Sequence, residues 1–196
     1  RQGKDEGWFQ DRASVGAGWH IEYHRGACRG RALLGMPEPA WIYLGIGSNV
    51  GDRLTLLELA FRRLEDVLAD FHASPVYETE PLEYEKQPPF LNACVAGRCE
   101  LPPLELLDTA QRIEAEAGRD RSAEVPKGPR PLDIDVLLYG DLVQNDGRLT
   151  LPHPRLTERA FALRPLLYIG PDLTDPRSGS SYQIYLESLP GQGIYL

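Results

Sequence analysis

The sequence predicts an α+β fold of the ferredoxin-like type, in which a βαββαβ succession forms an antiparallel sheet with both helices on one face. Two observations carry this prediction. Segments rich in apolar and β-branched residues alternate with segments whose apolar residues recur at three- and four-residue steps, in the order strand, helix, strand, strand, helix, strand. The length of 196 residues suits one domain with C-terminal helical and extended additions rather than two lobes.

The first strand, turn and helix are predicted between residues 41 and 69. Residues 41–47 (WIYLGIG) form a short apolar run that ends in glycine, and Ser48, Asn49 and Asp52 then provide turn and helix-capping groups. Over residues 54–69 the apolar side chains recur on one helical face and charged side chains on the other. This pattern indicates an amphipathic helix with one buried face.

Two strands and a second helix follow. Residues 71–79 and 90–100 are predicted as strands because β-branched and aromatic residues recur in both, and the proline- and charge-rich stretch between them (EPLEYEKQPP) is predicted as a long loop. Pro102 and Pro103 favour the first turn of a helix that ends at Gly118.

A polar loop precedes the last strand of the core. Residues 118–129 form this loop, and residues 132–140 (LDIDVLLYG) form the strand. Beyond it, we expect an extended piece at 148–154 (RLTLPHP), helical turns at 157–169 interrupted at Pro165, and a final amphipathic piece at 181–189.

The first 35 residues differ from the rest of the chain. Residues 1–35 are rich in glycine and charge and show no period that would bury a face, so we expect them to be a poorly ordered upstream or non-native extension to a single domain at 36–196. Met36 is the hypothetical initiator. An alternative is a metal site on a helix, whose ligands at i, i+4 and i+8 would be His20, His24 and Cys28. Three neighbouring glycines disfavour that helix.

Composition and charge exclude several classes of protein. No run approaches the ~20 apolar residues of a membrane helix. The formal charge of −8 disfavours nucleic-acid binding, and three cysteines without CxxC spacing indicate a reducing compartment, which by default is the cytoplasm.

Asp133 and Asp135 are the strongest candidates for chemistry. Two residues apart on a strand, their carboxylates project from the same face, and hard oxygen ligands there suit one or two Mg²⁺ ions that bridge to phosphates. A strand with a solvated acidic face is the alternative. Cationic side chains nearby in sequence favour the phosphate interpretation, namely those of Arg119, Arg121, Arg130, His153 and Arg159.

Two weaker motifs concern ligand binding. The glycines of residues 45–51 (GIGSNVG) have the spacing GxGxxxG with no following lysine, so we interpret them as a structural turn rather than a phosphate cradle. Phe90 and Phe161 provide two aromatic faces for a flat heterocycle, and Asn92 offers a paired donor and acceptor for its edge, with Thr79 and Leu82 nearby.

Together these residues resemble the 6-hydroxymethyl-7,8-dihydropterin pyrophosphokinase family, whose members move a pyrophosphoryl group from ATP to a pterin alcohol in folate biosynthesis. The resemblance spans about residues 41–189, and its GPRxxDxD element is the most specific part. The supporting motifs are GSN at 47–49, FLNA at 90–93, QRIE at 111–114, GRDR at 118–121, GPRPLDIDVLLYG at 128–140 and LPHPRLTERAF at 151–161.

The resemblance implies a role for each candidate residue. It makes Asp133 and Asp135 the ligands of two Mg²⁺ ions and makes Arg119, Arg121 and Arg130 catalytic, with the first two on a mobile loop. It assigns the pterin to Thr79, Leu82, Phe90, Asn92 and Phe161, and the nucleotide to Gln111, Glu114, Arg148, Thr150, His153 and Arg159.

The chain departs from the family pattern at three points. The loop before the GPR element reads EVPK and lacks the aromatic residue that often packs over the pterin in the family. Pro154 and Phe90 each stand where relatives often have tyrosine.

The implied enzyme is a monomer with ATP and 6-hydroxymethyl-7,8-dihydropterin as substrates and no nucleic-acid or membrane partner. Two other functions remain as alternatives. A palm-type nucleotidyltransferase also uses carboxylates on a ferredoxin-like sheet but would need a basic nucleic-acid track. A non-enzymatic ligand-sensing module would leave the aspartates and arginines without a role.

Overall fold

The computed structural model describes residues 39–82, 87–122, 128–191 and 193–196. The predicted extension at 1–35, the Met36 hypothesis, the His20, His24 and Cys28 alternative and the loop residues 123–127 lie outside this part of the chain. The strands of the main sheet are β1 (Ala40–Ser48), β2 (Ala69–Ala73), β3 (Tyr77–Thr79), β4 (Phe90–Cys99), β5 (Asp133–Tyr139) and β8 (Ile194–Tyr195), and β6 (Gln144–Asn145) pairs with β7 (Thr150–Leu151). The helices are α1 (Arg53–Glu65), α2 (Pro103–Glu116), α3 (Ala160–Ile169) and α4 (Tyr182–Ser188), with a 3₁₀ turn at Leu156–Glu158.

The main sheet has the predicted ferredoxin-like arrangement. Its order is β5-β1-β4-β3-β8, with β2 also paired to β4, and all pairings are antiparallel. The βαββαβ prediction is therefore confirmed, with the second predicted strand divided between β2 and β3.

One face of the sheet packs against α1 and α2, as the helical periodicity predicts. Ile134 and Val136 of β5 point into this core. Because strand side chains alternate, Asp133 and Asp135 project from the other face. The shared core also contains Ile42, Leu44, Ile46, Leu57, Phe61, Leu64, Leu106 and Ile113.

The other face is covered in part by α3 and α4. Leu137, Leu138 and Cys94 of the sheet pack there against Leu163 and Tyr182, both of which are fully buried. The helices leave the end of this face that carries Asp133, Asp135 and Phe90 open to a cavity.

Several boundaries differ from the prediction. The predicted strand 71–79 is broken at Ser74 and Pro75, because Pro75 has no N–H for the ladder and the Ser74 hydroxyl accepts from the N–H of Cys94 at 2.9 Å. The predicted interruption at Pro165 is wrong: α3 runs through it, with Pro165 buried in the helix. The short strands β6 and β8 were not predicted.

Among the described residues, no helix has both the length and the apolar composition needed to cross a membrane.

Candidate active site

A single cavity collects most of the candidate residues. Its floor is formed by the ends of β1, β4 and β5, and α3 forms one wall. Arg155, which the sequence analysis did not select, also lines it, although it belongs to the quoted LPHPR motif. The predicted residues that line it are Thr79, Leu82, Phe90, Asn92, Arg130, Asp133, Asp135, Arg159 and Phe161.

The register of the sheet explains this grouping. Gly47 of β1 is paired on one side with Asp133 of β5 and on the other with Asn92 of β4. The middle position therefore carries no side chain, and a Cβ there would lie 2.8 Å from Asn92 Oδ1. The glycine keeps the floor low between the carboxylates and the amide, which is a role that the turn interpretation of the GIGSNVG motif missed.

Asn92 and Thr79 form the polar end of the floor. Asn92 is 8 % exposed and Thr79 2 % exposed. Asn92 Nδ2 donates to Thr79 Oγ1 at 2.7 Å, which fixes the orientation of the amide. A buried amide held in this way presents a defined edge to a heterocycle.

The two predicted aromatic residues lie beside cationic groups. The Arg130 guanidinium carbon lies 5.5 Å from the centre of the Phe90 ring, and that of Arg159 lies 5.6 Å from the centre of the Phe161 ring. Each aromatic wall is thus directly connected to an arginine of the charged half of the cavity. Leu82 is 42 % exposed at the rim.

The carboxylates of Asp133 and Asp135 lie among arginines. Asp133 accepts from Arg119 Nη1 at 2.5 Å and pairs with Arg130 Nη2 at 2.9 Å. Asp135 Oδ2 lies 3.5 Å from Arg159 Nη1 and 3.9 Å from His153 Nε2. Burial, followed by the like charge of Asp133, raises the pKa of Asp135 to about 7.

This donor set fits magnesium. Among the described residues, no group of three or more His, Cys, Asp and Glu side chains is placed to hold a metal. Mg²⁺ is typically bound by one or two carboxylates, with water and substrate phosphates completing its shell. Burial and the neighbouring Asp133 carboxylate both disfavour the charged form of Asp135, and a bound cation would offset that cost.

Glu114 connects β5 to the arginines of the next loop. It is 1 % exposed on α2 and accepts from Arg119 Nη1 at 2.8 Å, from the N–H of Ile134 at 2.8 Å and from Arg121 Nη2. Burial raises the pKa of Glu114. The two arginines expected on one loop differ in burial: the Arg119 side chain is 6 % exposed and that of Arg121 is 51 % exposed. Gln111 lines a neighbouring depression with these residues.

The remaining nucleotide-side candidates do not line the cavity; these are His153, Arg148 and Thr150. The main-chain N–H of His153 donates to the carbonyl oxygen of Leu137 at 2.9 Å. The ring Nδ1 of His153 accepts from the main-chain N–H of Arg155 at 3.2 Å. Burial, followed by Arg159, lowers the pKa of His153 to about 4, so the ring is neutral. Arg148 pairs with Asp108 at 2.5 Å and Thr150 lies on β7; neither lines the cavity.

Known proteins resemble this chain over the part that forms the cavity. The family model for 7,8-dihydro-6-hydroxymethylpterin-pyrophosphokinase (HPPK) matches residues 43–171. The chain is 42 % identical over 156 residues to the folic acid synthesis protein fol1 of Schizosaccharomyces pombe, covering 79 % of this chain and 21 % of that protein. It is 42 % identical over 137 residues to the 2-amino-4-hydroxy-6-hydroxymethyldihydropteridine pyrophosphokinase of Aquifex aeolicus, covering 70 % of this chain and 84 % of that one.

A solved structure shares the fold. The crystal structure of wild-type Plasmodium falciparum HPPK-DHPS with pterin and p-hydroxybenzoate superimposes with a TM-score of 0.61 at 16 % identity, over 79 % of this chain and 44 % of that one. This chain therefore spans about a fifth of the fungal protein and less than half of the Plasmodium chain. The match to the family model over residues 43–171 shows that the chain belongs to the 7,8-dihydro-6-hydroxymethylpterin-pyrophosphokinase family.

Proposed function

We propose that the chain transfers the pyrophosphoryl group of ATP to the hydroxymethyl oxygen of 6-hydroxymethyl-7,8-dihydropterin and releases AMP. The observation that carries the proposal is one cavity with two chemically distinct halves. Phe90, Phe161 and the Asn92 amide form an aromatic and polar half, and Asp133, Asp135 and arginines form a charged half.

The aromatic half suits the pterin. The faces of Phe90 and Phe161 would contact the two sides of a flat ring, and Asn92, oriented by Thr79, would read its polar edge. Leu82 at the rim would limit access of water.

The charged half suits the triphosphate. Asp133 and Asp135 would hold Mg²⁺, two ions in our proposal, which when bound would neutralise phosphate charge and orient the β-phosphorus. Arg130 and Arg159 line the same cavity. Arg130 Nε is a buried donor that has no hydrogen-bond partner among the described residues, so a small movement of the side chain would let a phosphate oxygen satisfy it.

The loop after α2 would complete the site. Arg121 is the more exposed of its two arginines and would move from Glu114 to the triphosphate, while Arg119 would keep Asp133 in place. Gln111, Glu114, Arg148, Thr150 and His153 are proposed on the nucleotide side. Positioning and charge stabilisation then supply most of the catalysis.

We further propose that the chain acts as a monomer in the cytoplasm, with no nucleic-acid or membrane partner. Among the described cysteines, Cys94 and Cys99 are free thiols and both are buried, which suits a reducing compartment.

Product analysis tests the proposal. With ATP, Mg²⁺ and the pterin alcohol, we expect equal amounts of AMP and pterin diphosphate. Formation of ADP would indicate transfer of one phosphoryl group, release of inorganic pyrophosphate would indicate nucleotidyl transfer, and binding without turnover would indicate a ligand-sensing module. Each of these results would contradict the proposal.

A further inference from the structure

Asn49 lies directly after β1 and is 2 % exposed, and beyond the predicted turn or capping group it has no role in the site described so far. It does not cap α1, because the N-cap is Asp52, whose Oδ1 accepts from the N–H of Thr55 at 3.2 Å. Its hydrogen bonds instead reach two segments that lie 38 and 81 residues further along the chain.

The first of these contacts binds both main-chain polar groups of Arg130, its N–H and its carbonyl oxygen. Asn49 Oδ1 accepts from the N–H of Arg130 at 2.8 Å, and the N–H of Asn49 donates to Arg130 O at 3.2 Å. Arg130 cannot shift along the chain direction without breaking one of these bonds.

The second contact holds the segment that enters β4. Asn49 Nδ2 donates to Gln87 Oε1 at 3.0 Å and to Pro88 O at 3.2 Å. Pro88 lies two residues before Phe90, which begins β4 and lines the cavity. One carboxamide thus uses both of its donors and its acceptor to connect the two segments.

These segments carry groups from opposite halves of the cavity. Arg130 pairs with Asp133 at 2.9 Å in the charged half, and its guanidinium carbon lies 5.5 Å from the ring of Phe90 in the aromatic half. A shift of either segment would change the distance between these halves.

We propose that Asn49 is a positioning residue whose hydrogen bonds to Arg130, Gln87 and Pro88 set the separation between the pterin wall and the triphosphate wall. This inference rests on the transfer reaction proposed above. Reacting atoms must lie within ~3 to 3.5 Å, and a displacement of ~1 Å reduces the rate by about a hundredfold.

Two substitutions separate the contacts. Asn49→Asp keeps an acceptor for the N–H of Arg130 but replaces both donated bonds; Gln87 can rotate its amide to meet the new carboxylate, whereas the Pro88 carbonyl cannot. Asn49→Leu has a similar size and removes all three side-chain bonds. The control is Gln183→Ala, which removes an exposed carboxamide bonded to Glu187 on α4, outside the cavity lining.

The experiment uses the full chain with Mg²⁺ and measures steady-state AMP release, pterin binding by calorimetry in the presence of a non-hydrolysable ATP analogue, and thermal unfolding. We expect Asn49→Asp to raise both the KM and the Kd for the pterin at least tenfold while the KM for ATP stays within twofold. Asn49→Leu should in addition lower kcat at least tenfold below that of Asn49→Asp, because Arg130 is also released. Gln183→Ala should match the wild type.

Two results would overturn the assignment of Asn49 alone, provided that the wild-type chain is active. One is wild-type kinetics in both variants. The other is an equal loss of kcat/KM for both substrates together with a lowered melting temperature, which would indicate a structural role. If the wild-type chain releases no AMP, the proposed function fails and this inference fails with it.

Discussion

Asp135, a proposed magnesium ligand, illustrates how a group placed for chemistry can cost the fold stability. Its carboxylate lies on the strand next to Asp133, and its raised pKa means that the folded protein without metal disfavours its charged form. The unfolded chain, with an ordinary pKa near 3.8, carries that charge without this penalty. The destabilisation therefore grows as the pH rises from about 4 to about 7 and persists above that range.

We expect Asp135→Asn to separate activity from stability. It should lower AMP release by more than about a hundredfold, because metal-dependent charge stabilisation is worth several kcal/mol. In EDTA at pH 8 it should also raise the melting temperature, because the amide removes a charge that is costly to bury and that repels Asp133. Asp141→Asn, at an exposed position after β5, is the matched control and should change neither value. AMP release by Asp135→Asn at close to the wild-type rate would contradict the proposed role of Asp135 as a metal ligand.

Residue-scale contacts also show where the sequence alone was insufficient. The pairing of Asp133 and Asp135 on one face follows directly from their spacing, and it was predicted. The burial of Arg119 against Glu114 and Asp133 depends on how α2 packs against β5, which a charge pattern in a polar loop does not reveal. Asn49 was interpreted as turn chemistry because its partners are remote in sequence.

At the scale of elements, the loop after α2 carries the clearest mechanistic expectation. Arg121 is half-exposed and bound to Glu114, so it can exchange that carboxylate for the triphosphate. We predict that Arg121→Ala lowers kcat because it raises the activation free energy by about 2 to 4 kcal/mol. The KM for ATP should change much less, since a preorganised charge acts mainly in the transition state.

The control for this prediction is Arg62→Ala, which removes an exposed arginine from α1. Steady-state kinetics with varied ATP distinguish the possibilities. An increased KM with unchanged kcat would mean that the loop only binds the nucleotide and does not act as a catalytic lid.

The turn that starts α4 provides a pH-dependent prediction for the fold. Asp175 is 2 % exposed, and its Oδ2 accepts from Arg177 Nη2 at 2.6 Å. This hydrogen bond holds the pKa of Asp175 below its usual value. The stabilisation is therefore complete above the ordinary carboxyl pKa of 3.8 and is lost as the pH falls through the lower folded value.

Asp175→Asn should accordingly reduce the free energy of unfolding by about 1 to 3 kcal/mol at pH 7, because it weakens a charged hydrogen bond in a buried turn. Chemical denaturation between pH 3 and 8 measures the effect. The difference from wild type should shrink below about pH 4. A difference that stays constant down to pH 3 would mean that the ion pair is not its source.

The elements themselves were predictable to the extent that local pattern determines them. Apolar periodicity identified α1, α2 and the strands β1, β4 and β5. It failed at β8, where the register comes from pairing with β3 far earlier in the chain, and at Pro165, where burial of α3 against β4 overrides a local helix breaker.

At the scale of the whole molecule, the ferredoxin-like topology places the two halves of the cavity next to each other. The strand order sets β1 between β5 and β4, so that Asp133, Gly47 and Asn92 form one row across the sheet. Residues far apart in sequence are thereby separated only by the width of a strand. We predict that a pterin on β4 and a triphosphate above β5 meet over the glycines of β1.

The most direct test of this arrangement follows the β-phosphorus of ATP. With ATP carrying ³²P at the β position, the wild-type chain, Mg²⁺ and 6-hydroxymethyl-7,8-dihydropterin, we predict that the label appears in the pterin product and that the released AMP is unlabelled. Label that remains with the nucleotide as ADP, or a pterin that stays unlabelled, would contradict the account.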